Sequence, residues 1–343
     1  MTESRFQYRE YTGKKVLLMV VGFAICAASF LLDVFVGSSN MTFSQVLQTI
    51  FAPDRADKLQ RTIIWGLRLP TATMGLLVGA ALGMCGAAMQ TILNNPLASP
   101  YTLGISAGAG VGASVAMLTG LGSIAMLGRY LIPVSAFAFA FLACLGIYCI
   151  SRAKRFTPDT MVLAGIGMVF FFQAVQSFLQ YLASAEALKS IVFWTFGSLG
   201  KADWTNIPIL AVVFALVFFA IYRRSWQLTA MKLGDEKARA LGIDVEHLRM
   251  TMFVLISLLT ATAVAFVGSI GFIGIVGPHI ARILVGEDQR YYLPMSSICG
   301  AALLSVASVA TKLIVPGAVF PIGILTSMIG VPFFFYLIVR KKR

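Results

Sequence analysis

Long apolar stretches alternate with short polar connections along most of the chain. Ten of these stretches approach the ~20 residues that a helix needs to cross the ~30 Å hydrocarbon core of a bilayer. The pattern predicts helices at about 16–37, 66–88, 102–120, 130–150, 160–183, 206–222, 249–267, 272–286, 293–311 and 322–339. The eighth stretch is short for a crossing, so part of the chain there is expected to enter the membrane as a loop covered by protein or a water-filled cavity. We expect an all-α integral membrane protein of ten transmembrane helices, folded as one domain over 1–343.

Composition and charge support this prediction. Hydrophobic residues make up 58% of the chain and charged residues 12%, against about a quarter charged in soluble domains. The net charge of +13 does not point to nucleic acid, because the basic residues lie at the ends of the spans and no nucleic-acid motif is present. Membrane lipid is the expected surrounding. The five cysteines lie inside apolar spans without metal-ligand spacing, so neither disulfides nor a metal site are predicted.

The distribution of basic residues predicts the topology. Ten crossings place both termini on one side, and most of the 27 lysines and arginines lie on that side, within 5–15, 152–155, 223–249, 282–290 and 340–343. The positive-inside rule makes this side cytoplasmic. We therefore expect a cytoplasmic N-terminal segment at about 1–15 and a cytoplasmic loop at about 223–248.

Glycines recur at every fourth residue in two of the spans. They are Gly75, Gly79 and Gly83 in the second span, and Gly104, Gly108 and Gly112 in the third. Such ridges let helix backbones approach closely, so both helices are expected to pack inside the bundle. A flexible hinge of a pore is the alternative.

Three groups of short motifs punctuate the spans. The first joins RLP at Arg68–Pro70 to NPLASP at Asn95–Pro100, the second joins GFIG at Gly271–Gly274 to PHIAR at Pro278–Arg282, and the third is PIG at Pro321–Gly323. In these motifs and their separations the chain resembles the permease subunits of binding-protein-dependent ABC importers for iron-siderophore complexes, haem and vitamin B12, called the FecCD or BtuC-like family. The resemblance extends from about Arg61 to Ile338.

The resemblance implies a BtuC-like, type II importer fold with ten helices per subunit. The chain would pair with a second copy of itself or a similar permease, with one translocation path along the dimer axis. Two ABC ATPase subunits and a periplasmic or lipid-anchored binding protein would complete the complex in the cytoplasmic (inner) membrane of a bacterium or archaeon. The chain has no G-x-x-x-x-G-K-[ST] loop, so ATP and magnesium are expected on the ATPase. No catalytic residue, cofactor or metal is expected on this chain.

The expected cargo is an iron chelate, with a ferric siderophore as the first candidate and haem as the second. Cobalamin is the main alternative. A secondary transporter and a passive channel are rival functions. No carboxylate lies in the central part of any span, and Asp33 lies near the outer end of the first. This pattern disfavours a proton-coupled transporter, which needs an ionisable relay near the midplane.

The long cytoplasmic loop is the candidate site for ATPase coupling. Its middle part has the pattern of a short amphipathic helix that glycine ends, and the resemblance implies that this helix docks into the ATPase. The candidate coupling residues are Gly234, Asp235, Glu236, Ala238, Arg239, Leu241 and Gly242. The alternative is a solvated loop.

The fifth span carries the candidate path residues Gln173, Gln176, Ser177 and Gln180. Their spacing of three and four places them on one helical face. A polar stripe within a bilayer should face protein or water, and the resemblance implies that this helix lines the path. Hydrogen bonding between helices is the alternative.

Basic residues on the outer side are candidate contacts for the binding protein. The resemblance implies this role for Arg68 and for Lys312. Thr71 stands where the family pattern has a second arginine, and Arg61 could substitute for it. The alternative is that these residues anchor the chain at the lipid headgroups. His279 is expected to be structural rather than a metal ligand.

Overall fold

A computed structural model of the protein describes residues 2–37, 39, 41–119, 128–314 and 320–340. The described chain is helical, without β-strands. The first helices are α1 (Thr2–Phe35), α2 (Phe43–Phe51), α3 (Lys58–Arg61), α4 (Leu69–Ile92), α5 (Ile105–Leu118), α6 (Gly128–Ala153) and α7 (Pro158–Leu182). The remaining helices are α8 (Ala185–Thr195), α9 (Asn206–Tyr222), α10 (Ser225–Met231), α11 (Asp235–Ala240), α12 (Val245–Val267), α13 (Ile273–Val285), α14 (Gln289–Ile314) and α15 (Ile322–Arg340).

Six helical stretches in the described ranges are long and apolar enough to cross a membrane. They are Thr12–Phe35, Lys58–Ile92, Tyr130–Ala153, Pro158–Leu182, Val245–Val267 and Gln289–Ile314. A seventh crossing can be formed by α9 with α10, which are bent by 59° at their junction, while α5, α13 and most of α15 are shorter apolar helices. These segments coincide with the ten predicted spans, which confirms the all-α membrane fold.

Several helix ends differ from the prediction. α1 begins at Thr2 rather than near residue 16, because the polar N-terminal segment continues the helix. The second crossing begins at Lys58 rather than near residue 66, since a π-helical segment, Thr62–Arg68, joins α3 to α4. Pro70 lies in the first turn of α4, where its missing N–H is tolerated. The predicted end of the third span, residue 120, lies outside the described residues.

The directions of the helices place the beginning of α1 and the end of α15 at the same end of the bundle. α1 and α14 run parallel, because Lys15 lies over the Tyr291 ring near their beginnings and Asp33 pairs with Lys312 near their ends. α15 packs along α13 in the same direction and therefore ends beside the turn between α13 and α14. We call the end where α1 begins and α15 finishes the terminal end, and the other the opposite end.

α4 and α14 pack together at the centre of the bundle, with their backbones in contact. A Cβ at Gly79 would overlap the carbonyl group of Gly300, and a Cβ at Gly83 would overlap that of Ser296. Small residues at such crossings allow the close van der Waals contact that holds helices together in lipid. The glycine ridge predicted for the second span is confirmed at Gly79 and Gly83, whereas Gly75 lies against the Leu199 side chain.

The glycines of the third span have two different roles. Gly108 and Gly112 lie against α6, where added Cβ atoms would collide with the carbonyl groups of Phe139 and Ser135. Gly104 precedes α5 with a φ of 80°, a left-handed conformation that glycine adopts readily. It is a turn residue, so its predicted place in the ridge is wrong.

Three helix breaks meet inside the bundle: after α8, after α12 and before α15. The Ser198 N–H donates to the Val267 carbonyl over 2.7 Å, and the Gly323 N–H donates to the Phe196 carbonyl over 3.0 Å. Backbone groups that lipid could not satisfy are thus paired within the protein. α13 has only 13 residues and follows one of these breaks, as the short eighth span predicts.

Candidate functional site

The segment between α9 and α12 lies at the terminal end and contains α10 and α11. Gly234 and Gly242 flank α11 with φ values of 98° and 81°. Glycine adopts these left-handed values without the strain that a side chain would cause. The helix predicted here is therefore confirmed, with Gly242 at its end.

The exposed side chains of this segment form a candidate partner surface. We call Leu233, Glu236, Lys237, Arg239 and Leu241 the coupling surface. Leu233 and Leu241 are 57% and 52% exposed, whereas Ala238 is fully buried. Ala238 packs inward and cannot contact a partner, so its predicted place on a docking face is wrong. Leu233 is not among the residues predicted for this surface, although its position next to a loop glycine could have indicated its exposure.

Asp235 is half-buried at the start of α11 and binds a buried arginine. Its Oδ1 accepts a 2.7 Å hydrogen bond from Nη2 of Arg249, whose side chain is 3% exposed. Nε of Arg249 donates to the Ile92 carbonyl over 2.8 Å, and Nη1 donates to the Phe156 carbonyl over 3.0 Å. One side chain thus joins α11 to the end of α4 and to the turn between α6 and α7. In the sequence, Arg249 is recognisable only as one of the basic residues that indicate the cytoplasmic side under the positive-inside rule.

The last turn of α4 is bound to other elements as well. Nη2 of Arg282 donates to Oε1 of Gln90 over 2.8 Å. Nε2 of Gln289 donates to Oγ1 of Thr91 over 3.1 Å. Together with the contact at Ile92, these bonds tie three successive residues of α4 to α13, α14 and α12.

The turn between α13 and α14 is charged and extends this network. Glu287 forms ion pairs with Arg282 at 3.0 Å and with Lys232, just after α10, at 3.3 Å. A hydrogen bond from Arg290 lowers the pKa of the neighbouring Asp288. Asp288 therefore stays negatively charged at neutral pH, and the pair between Glu287 and Lys232 links α10 to the bundle.

α7 carries the predicted polar stripe and borders a cavity. Gln173 and Gln176 line a space of about 180 Å³ between α5, α7 and α8. The further polar side chains of the lining are Tyr101, Ser106, Thr195 and Ser269, none of which was predicted. Ser177 is exposed and Gln180 is half-buried, and neither lines this cavity. The structure thus brings together two of the four candidate path residues.

Among the described residues, only the amide nitrogen of Gln176 has a hydrogen-bond partner. Its Nε2 donates to Oγ of Ser114 over 2.7 Å, and this hydroxyl donates to the Gly110 carbonyl over 2.8 Å. Its Oε1 is buried without a hydrogen-bond partner among the described residues. A buried acceptor left unpaired costs ~1–3 kcal/mol, which favours occupation of the cavity by water or a solute. The bond to Ser114 fits the alternative role between helices, and the open oxygen fits the path.

Two of the three candidate docking residues cap α1 at the opposite end. Arg68 is 6% exposed, and its Nη1 donates to the carbonyl groups of Val34 at 3.1 Å and Phe35 at 3.0 Å. Lys312 forms a 2.9 Å ion pair with Asp33, which is fully buried. Cations at a helix C-terminus complement the helix dipole and satisfy its free carbonyl groups. These contacts favour a structural role for both residues.

Arg61 is the candidate docking residue that solvent reaches. Its side chain is 57% exposed, and its Nη1 lies 3.4 Å from Oδ1 of Asp54, which is 90% exposed. In the π-helical segment that follows Arg61, the Trp65 carbonyl accepts a 2.7 Å hydrogen bond from the Trp204 indole. Docking of a binding protein stays a prediction, and Arg61 is the best placed of the three for it.

Within the described part of the chain, no group of three or more His, Cys, Asp or Glu side chains is placed to hold a metal ion. His279 packs edge-on against Phe333, with ring centroids 5.6 Å apart. This contact is aromatic packing between α13 and α15. His247 is exposed at the start of α12.

Proteins named as transport permeases are similar to this chain along most of its length. A protein of Methanocaldococcus jannaschii, provisionally named an ABC transporter permease, is 38% identical over 98% of both chains. The iron(3+)-hydroxamate import system permease protein FhuB of Bacillus subtilis is 32% identical over 98% of this chain and 86% of its own. The hemin transport system permease protein HmuU of Yersinia pestis is 33% identical over 89% and 92%, respectively.

The fold is shared too. A solved structure, described as an inward-facing conformation of a candidate metal-chelate type ABC transporter, superposes with a TM-score of 0.82 at 28% identity. The match covers 94% of this chain and 99% of that one. The sequence pattern of the FecCD transport family matches residues 25–340. The chain is therefore a multi-pass membrane permease that belongs to the FecCD transport family.

Proposed function

We propose that this chain is the permease subunit of an ATP-driven ABC importer that brings an iron chelate into the cytoplasm. A ferric siderophore is the first candidate cargo, haem is the second, and cobalamin is the main alternative. The relatives named for iron hydroxamate and hemin support the iron-chelate class.

The coupling surface carries this proposal. Exposed leucines flanked by charges of both signs are typical of a site where a folded partner docks. The chain has no phosphate-binding loop of its own, so a separate ATPase is the partner that fits best. Two ATPase subunits would hold ATP and magnesium, and this chain would bind no cofactor.

The two ends of the bundle differ in charge, and this difference indicates where the other partners would bind. The terminal end carries most of the basic residues and is assigned to the cytoplasm by the positive-inside rule. In this proposal the opposite end, with the exposed Arg61, faces a periplasmic or lipid-anchored binding protein. A second copy of the chain or a similar permease would complete the path that Gln173 and Gln176 border. The membrane is then the inner membrane of a bacterium or archaeon.

Transport proceeds by alternating access in this proposal. The loaded binding protein docks at the opposite end, and ATP closes the two ATPase subunits at the terminal end. The coupling surface moves with them, and the path opens to the other side. The lack of carboxylates in the central part of the spans argues against proton coupling as the driving force.

Reconstitution with the cognate ATPase and binding protein tests the proposal. We expect one of ferric hydroxamate, haem or cobalamin, loaded on the binding protein, to stimulate ATP hydrolysis and accumulate in the vesicles. An ATPase variant that binds but does not hydrolyse ATP serves as the control and should abolish uptake. Uptake without the ATPase, or no response to any of the three cargoes, would contradict the proposed function.

A further inference from the structure

We propose that Arg249 is a positioning residue that transmits movement of α11 to the end of α4 and to the turn between α6 and α7. The proposal rests on the ATP-driven function above and names the physical link between the coupling surface and the transmembrane helices. Arg249 lies near the beginning of α12 and is almost completely buried. It holds α11 through Asp235 and the bundle through the carbonyl groups of Ile92 and Phe156.

The chemistry of the guanidinium group suits this role. Its N–H groups form a rigid planar fork, so three acceptors bound to it keep a fixed mutual position. Hydrogen bonds that involve a charged partner are stronger than neutral ones, and burial strengthens them further. A shift of Asp235 is therefore passed on to both carbonyl groups rather than absorbed by a flexible side chain.

α11 depends on this contact for its place. A helix of six residues is too short to be stable without tertiary contacts. Ala238 is its fully buried residue and Asp235 its anchored charge, while the exposed side chains belong to the coupling surface. A force applied to that surface thus reaches the bundle through Ala238 packing and the Asp235–Arg249 pair.

Each of the two carbonyl acceptors is followed in the chain by a segment that borders the same cavity. Ile92 is the last residue of α4, and Phe156, with a φ of 49°, ends the turn before α7. The segments that follow them, 93–96 and 158–163, border a common open cavity of about 630 Å³ at the terminal end. Displacing the guanidinium group would therefore move both walls together and change the width of this opening.

The test separates transmission from assembly. Arg249→Lys keeps the charge without the fork, Asp235→Ala removes one acceptor, and Asp235→Asn keeps an acceptor oxygen without the ion pair. Arg152→Lys, at an exposed arginine near the end of α6, is the matched control. In proteoliposomes we measure the ratio of ATP hydrolysed to cargo imported, after size-exclusion chromatography has established that the ATPase is bound.

We expect Arg249→Lys and Asp235→Ala to retain the ATPase and to raise this ratio ~tenfold, equal to ~1.4 kcal/mol of lost coupling. Asp235→Asn should restore part of the loss, and Arg152→Lys should match the wild type. An unchanged ratio in assembled Asp235→Ala would overturn the proposal. So would loss of ATPase binding in Arg249→Lys and Asp235→Ala alike.

A second measurement does not depend on cargo. Spin labels at Asn95 and Leu163 report the width of the cavity with and without ATP in the ATPase-bound complex. We expect an ATP-dependent distance change in the wild type that is lost in Asp235→Ala, and its persistence in that variant would overturn the role of Arg249. If the wild type hydrolyses ATP but imports none of the cargoes, the proposed function fails while this measurement still tests the link.

Discussion

Arg68 donates a hydrogen bond from its guanidinium group to the backbone carbonyl of Phe35, 3.0 Å away and 33 residues earlier in the chain. The bond caps the end of α1 from the π-helical segment before α4. Lys312 of α14 binds the same helix end through Asp33. Both cations therefore fix α1 to the central pair of helices, α4 and α14.

Charge reversal at Arg68 and Lys312 is expected to destabilise the folded protein. The carbonyl groups at the end of α1 would lose their donors, and Asp33 would become a buried charge without its partner. Breaking a buried pair in this way costs ~3–5 kcal/mol. Thermal unfolding of the detergent-solubilised double variant, Arg68→Glu with Lys312→Glu, measures the effect.

Arg61→Glu is the matched reversal at an exposed position of the same end. We expect it to fold normally and to reduce the affinity for the binding protein, together with the salt dependence of that affinity. If the double variant instead keeps its thermal stability and loses only binding-protein affinity, Arg68 and Lys312 are docking residues and the capping role is wrong.

The glycine contact between α4 and α14 predicts a sharp difference between two identical substitutions. Gly83→Ala should destabilise the bundle, because the new Cβ overlaps the Ser296 carbonyl group and overpacking costs ~1–3 kcal/mol. Gly167→Ala on α7 should have little effect, since no described atom outside the adjoining helix backbone lies within 4 Å of the new Cβ. Comparison of their unfolding temperatures checks this prediction, and equal values would contradict the tight helix contact.

The cavity beside α7 predicts where uptake can be blocked. Gln173→Trp and Gln176→Trp would fill much of a space of about 180 Å³, so we expect uptake to fall ~tenfold or more while the complex remains assembled. Cysteine at position 173 should react with a small water-soluble thiol reagent on a cysteine-free background. A cysteine at the fully buried Met161 of the same helix is the unreactive control.

Labelling also discriminates between the two roles considered for the glutamines. If the cysteine at position 173 stays unreactive in every nucleotide state, the polar stripe serves helix packing and not a path. Full uptake by both tryptophan variants would lead to the same conclusion.

The coupling surface predicts a selective defect at Leu241. Leu241→Asp adds a charge that would be desolvated in an ATPase groove, which should weaken ATPase binding by a few kcal/mol. Insertion and binding-protein affinity should be unchanged, because Leu241 is half exposed and outside the core. Leu241→Met keeps the apolar contact and should behave as wild type. Co-purification of the ATPase with each variant decides, and full retention by Leu241→Asp would identify a solvated loop.

The sequence predicts the ten spans well, because the length of an apolar run reports directly on the thickness of the bilayer. It also places Gly79 and Gly83 in a helix contact and Gly242 at a helix end, since both follow from local backbone requirements of glycine. Residue exposure in the loops is harder to predict. Ala238 and Leu241 are three residues apart, yet one is buried and the other is exposed, because α11 ends between them.

The polar contacts between distant elements could not be predicted from local pattern. Arg249 and its acceptor Ile92 are 157 residues apart in the chain, and Arg282 and Gln90 are 192 apart. A basic residue at the end of a span has the same appearance whether it faces headgroups or a buried carbonyl group. Only the packing of the helices distinguishes the two cases.

Measuring which energy source drives uptake tests the proposed function most directly. Proteoliposomes that contain the permease and its ATPase are supplied with loaded binding protein, with ATP at the terminal face, and uptake of the labelled cargo is followed with and without ionophores that abolish ion gradients. We expect accumulation that requires ATP and binding protein and is unaffected by the ionophores. Accumulation that ionophores abolish, or that proceeds without ATP, would contradict an ATP-driven importer.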